Sequence, residues 1–102
     1  MIICITLYLV MLETLEIGCV ENTSALTREL NSIYFSQGEA MERGRELADV
    51  CKRKVDLGIG TECGGKFHVY SVRVLECEKG RDGEELKMVR EVRCWKTEDH
   101  KN

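Results

Sequence analysis

The chain is predicted to be an α+β protein, with an antiparallel sheet of three to four strands covered on one face by one or two helices. Three observations predict it: an apolar, β-branched N-terminal run, a central segment opened by a helix-capping signature, and two C-terminal stretches of period two joined by Gly80-Arg81-Asp82-Gly83. The 102 residues suit one domain, with a polar tail from about residue 97 expected to fray.

Residues 2–12 are large and apolar or β-branched, interrupted only by Thr6 and Tyr8, which suits a central strand buried on both faces. The odd positions stay apolar through Leu15, Ile17 and Cys19, apart from Glu13, so the strand either continues or bends near Glu13 and Thr14. Asn22-Thr23-Ser24 then offers N-cap residues ahead of Leu26, Leu30, Ile33 and Tyr34, spacings that predict a short amphipathic helix.

A second helix is better marked. Ser36 and Glu39 form an S-x-x-E capping box, and Phe35 stands where it would staple onto Ala40. Ala40, Gly44, Leu47, Ala48, Cys51 and Val55 make one stripe, opposed by Glu39, Glu42, Arg43, Glu46, Asp49 and Arg53. Glu39 with Arg43 and Asp49 with Arg53 have the favourable i, i+4 order.

Glycines 58, 60, 64 and 65 mark the connection that follows. Residues 67–78 and 84–95 then read as the arms of a hairpin. Pairing Gly80 with Glu84 places Arg73 opposite Glu91 and gathers Tyr70, Val72, Val74, Leu86, Met88, Val92 and Cys94 on one face. A one-residue shift would instead favour Val69, Leu75 and Cys77, and both registers stay open; in the first, the other face carries Val69, Leu75, Val89 and Trp95. Left open, it is apolar enough to call for a second copy, so a homodimer is expected.

Composition narrows the function. A formal charge of −3 gives no global positive field for nucleic acid or anionic membrane. The charge is uneven: residues 1–50 carry eight acids and three bases, residues 51–102 ten and twelve, which suits complementary surfaces within or between chains. Residues 1–12 are too short to span a bilayer and have neither a basic start nor a cleavage site, so a cytoplasmic protein is expected. One glutamine and three asparagines among abundant Glu, Lys and Arg is a thermophile-like bias. In that setting the six cysteines could be paired, as Cys63 with Cys77 or Cys77 with Cys94.

Four motifs bear on chemistry. Residues 60–67 approach the phosphate-loop pattern, but Phe67 replaces the magnesium-binding hydroxyl and no helix follows. Cys63 and His68, near Lys66, are the candidates for a thiol or metal-ligand role, the lysine and imidazole favouring thiolate. Cys4, Cys51 and Cys94 fall on apolar stripes and read as core. Arg73, Arg90, Arg93, Trp95 and Lys96 are the candidates for a nucleic-acid or partner surface, if they share a sheet face. No cofactor and no catalytic set is expected. The leading expectation is a small non-enzymatic homodimeric interaction or regulatory module. A nucleic-acid-binding accessory protein, and a thiol or metal protein centred on Cys63 and His68, are the alternatives.

Overall fold

The computed structural model describes residues 5–18, 24–56, 66–80 and 86–97. They form β1 (Ile5–Gly18), β2 (Ser24–Tyr34), α1 (Gln37–Asp56), β3 (Lys66–Lys79) and β4 (Lys87–Lys96). The strands make one antiparallel sheet in the order β2-β1-β3-β4, so the architecture is α+β. β1 lies inside the sheet and runs straight through Glu13 and Thr14. β2 and β3 are each antiparallel to β1 and hence parallel to one another, and α1 is the crossover that joins them.

Strand alternation assigns the two faces. β1 and β3 pair without interruption from Ile5 opposite Lys79 to Gly18 opposite Lys66. The even positions of both strands therefore share one face and the odd positions the other. The even face is the core. Val10, Tyr70, Val72 and Val74 cluster there with Ala40, Ala48 and Cys51 of α1, and Tyr8, Leu12, Leu47, Val55, Cys94 and Trp95 pack around them. Val10, Val72 and Ala40 are fully excluded from solvent.

The predicted helical stripe is the one that docks, and small residues set its distance from the sheet. A Cβ built at Gly44 would stand 2.6 Å from Cys94 Sγ and 3.5 Å from Val74 Cγ2, so the backbone of α1 approaches β3 and β4 more closely than alanine allows. The start of the helix follows the capping signature. The Glu39 N–H points to Ser36 Oγ at 3.5 Å, and the Ala40 N–H donates to the Ser36 carbonyl. Phe35 does not staple onto Ala40; it stands 78% exposed while Ala40 is buried. Arg43 pairs with Glu46 at 3.1 Å rather than with Glu39, and its Nε donates to Asn31 Oδ1.

Three further expectations are corrected. The predicted first helix is strand β2. Leu26 and Leu30 are four apart, which fits a two-residue period as well as a helical one, and pairing with the long β1 supplies ladder bonds that an isolated short helix lacks.

The hairpin register is also different. Beside the turn Cys77 pairs with Met88, already one residue out from the Gly80–Glu84 register; Val89 of β4 is an extra residue that shifts it again, setting Leu75 opposite Glu91 and Arg73 opposite Arg93, and Cys94 is a second. The slip at Cys94 turns both Cys94 and Trp95 toward the core, so Trp95 is not on the open face; the offset at the turn sets Met88 opposite Cys77, away from the core. Finally, Thr97 is buried. It accepts from the Tyr70 N–H through Oγ1 at 3.1 Å and donates its own N–H to the Tyr70 carbonyl, so the fraying expected at this residue does not occur.

β1 was expected to be buried on both faces, yet its odd face has no layer over it among the described residues. The molecule measures 55 × 27 × 18 Å, and its short dimension is that of one sheet plus one helix.

Candidate functional site

Among the described residues the uncovered face is apolar along β1 except at Glu13, which stands in a row of ion pairs; Lys79 of β3 and Arg93 and Lys96 of β4 hold further positions on the same face by register. Glu13 is the single break in the odd apolar positions of β1, and its carboxylate is held from both sides. Arg28 Nε of β2 donates to Glu13 Oε2 at 3.1 Å, and Arg73 Nη2 of β3 donates to the same oxygen at 2.7 Å. Arg73 Nη1 reaches Glu91 of β4 at 3.3 Å. The row thus takes one residue from each strand, Arg28, Glu13, Arg73 and Glu91, with charges plus, minus, plus, minus and a sum of zero.

Glu13 and Arg73 are only 17% and 18% exposed, whereas Arg28 at the sheet edge is 62% exposed. The two inner ions are desolvated enough for mutual pairing to matter, and the outer pair is mostly in water. Arg73 Nε and Ser71 Oγ, closed off in the same region, have no hydrogen-bond partner.

Apolar side chains flank the row. On one side lie Leu7, Leu9, Met11, Leu30, Ile33 and Leu75, and on the other Leu15, Leu26 and Val69, placed there by the strand registers. Ile5, Leu26, Leu30, Ile33 and Met88 are exposed to roughly half of their surface. A sheet four strands wide at about 4.8 Å per strand and about 12 residues long at about 3.4 Å each presents about 800 Å². That is the area each partner contributes to a standard protein interface.

The residues singled out in the sequence divide between the two faces: Arg73, Arg93 and Lys96 hold odd-face positions, Arg90 and Trp95 helix-face ones. Arg73 belongs to the charge row. Arg90 lies on the opposite, helix-bearing face, where its Nε meets Glu76 Oε2 at 3.0 Å and Tyr8 also approaches Glu76. Trp95 packs on the core, Lys96 is exposed opposite Ser71, and Arg93 takes the register position opposite Arg73. The two basic residues nearest the charge row thus lie across the sheet from Arg90 and Trp95. Arg73 and Glu91, expected directly opposite one another, meet instead as a diagonal ion pair.

Cys63 lies outside the described residues, as do the phosphate-loop-like segment and Cys4. His68 stands on the core side at the end of β3, where its Nε2 meets Glu16 Oε2 at 3.1 Å. Its ring stacks against Tyr70 with centroids 6.3 Å apart, Lys54 Nζ sits 5.8 Å from the Tyr70 ring centre, and Nδ1 of His68 is closed off without a partner. A carboxylate-held imidazole is part of an acid-base device, but a nucleophile must complete it. The described thiols do not serve. Burial pushes the Cys51, Cys77 and Cys94 thiols up, which keeps them protonated and poorly nucleophilic.

Cys77 and Cys94 are free and belong to opposite faces, so they form no bridge. Among the described residues no group of three or more His, Cys, Asp or Glu is placed to hold a metal, and no helix is long and apolar enough to cross a membrane.

Comparison with family models, with characterised proteins and with solved structures returns no match. The reading of function therefore rests on the geometry of this chain.

Proposed function

We propose that the chain is a homodimeric interaction module whose two copies bury their uncovered sheet faces against one another. The observation that carries this reading is the odd face that the described residues leave uncovered: largely apolar, about the area of a standard interface, with a central row of four charges that compensate within the chain. A second copy is the occupant that such a surface suits. Its central ions are already paired within the chain, and the surroundings on β1 and β2 are mostly apolar, which is what a second copy of the same face can cover. The shape of the monomer points the same way, since its radius of gyration of 16.3 Å exceeds the roughly 13 Å expected of a globular domain of this length. Doubling the layers would thicken the slab.

Leu30→Lys tests this reading with little risk to the monomer, because Leu30 is already exposed on edge strand β2. A lysine there would have to enter an apolar interface unpaired. Light scattering should give twice the 11.7 kDa chain mass for the parent protein and the single chain mass for the variant, with unchanged circular dichroism. A variant that stays dimeric would contradict the proposal.

A further inference from the structure

The charge row also dictates how the two copies meet. Resting on the dimer reading, we propose that they stack about a two-fold axis lying in the plane between the sheets and crossing the row at its midpoint, between Glu13 and Arg73.

The order of signs carries the inference. Across the sheet the row reads Arg28, Glu13, Arg73, Glu91, an alternation that changes sign when reversed. A two-fold axis across the row reverses it. Arg28 then lies over Glu91 of the second copy, and Glu13 over Arg73 of the second copy, giving four favourable contacts. An axis along the row preserves the order and sets every charge over its own copy, four like-charge contacts buried in an apolar surround.

The apolar positions favour the same axis independently. In β1 the odd positions on one side of Glu13 are Ile5, Leu7, Leu9 and Met11, and on the other only Leu15 and Ile17. Rotation across the row lays the longer apolar block on the longer block. Rotation along the row would lay it on the shorter one and leave apolar surface in water. The row is oblique to the strands, with Arg28 opposite Glu13, Arg73 opposite Met11 and Glu91 opposite Leu75. The strands of the two sheets therefore cross at an angle, as packed sheets do.

Charge reversal at the two ends of the row tests this geometry. In Arg28→Glu alone the new carboxylate faces Glu91 of the second copy, and in Glu91→Arg alone the new cation faces Arg28. Each variant by itself should dimerise at least about tenfold more weakly than the parent protein. Mixed in equal amounts, the two restore every opposite-charge contact, so native mass spectrometry should find the heterodimer well above the half share expected by chance.

A chance distribution in that mixture, with the parent protein dimeric, would overturn the geometry and leave the dimer standing. Preferred pairing of Arg28→Glu with the parent chain would overturn it in favour of the axis along the row. A monomeric parent protein would remove the dimer reading itself. If either reversal prevents folding, Arg28→Ala and Glu91→Ala replace it in a double-mutant cycle on the dimer dissociation constant. The two residues lie on the opposite edge strands of one sheet, so strong coupling between them supports the contact across the interface and additivity overturns it.

Discussion

Gly44 shows how one residue sets a layer spacing. Its missing Cβ is the space occupied by Cys94 Sγ, so Gly44→Ala is expected to push α1 off the sheet and destabilise the fold by about 1–3 kcal/mol in a denaturant titration. Cys94→Ala in the same chain should recover most of that loss, and additive effects would contradict the contact. The buried acids make a second prediction. Burial raises the Cys51 thiol, with Lys54 partly opposing, and raises the Tyr70 phenol, with the Cys51 thiol adding to the effect. These groups hold their protons more firmly folded than unfolded. The associated stability is therefore complete below the ordinary thiol value of 9.0 and is lost as pH rises through it and beyond. Melting temperature should fall above about pH 9, less steeply in Cys51→Ala; a flat profile up to pH about 10.5 would contradict the burial assigned to these groups. Glu13 was legible as an anomaly, the one carboxylate on an apolar stripe. Its partner Arg28 was not, because the segment containing it reads equally well as a helix.

At the scale of elements, the sequence speaks plainly where two independent signals agree. Ser36 with Glu39, followed by a stripe of small residues, places α1, and its buried face is the one expected. Ser36→Ala should cost about 1 kcal/mol of unfolding free energy. No loss at all would mean that the long 3.5 Å contact to Glu39 N carries no cap. β2 was misread because leucines four apart satisfy both periods and no glycine or turn signal argues against a helix. The hairpin arms were legible but their register was not. Two extra residues in β4 leave no mark in a pattern of alternating polarity, and each moves the residues beyond it to the other face. Trp95 changes its expected side through both slips and the one-residue offset at the turn, Met88 through that offset alone. On β2 the extra residue is Asn31, whose amide oxygen accepts from Arg43 of α1, so the irregularity ties an edge strand to the helix.

At the scale of the whole molecule, one helix lies against a sheet whose inner strands have fourteen residues each. A 20-residue helix extends about 30 Å, against about 47 Å for such a strand, so α1 cannot cover even its own face from end to end. The other face is left to Leu7, Leu9, Leu30 and their neighbours around a self-neutral row of ions. Apolar area drives such a face to associate, while the ions penalise any arrangement that leaves them unmatched. Affinity and orientation thus come from different residues of one surface. The central claim is tested most directly by sedimentation equilibrium of the unmodified protein through the micromolar range. The account predicts a single species of twice the 11.7 kDa chain mass, giving way to monomer only on dilution. A clean monomer at every concentration would contradict it.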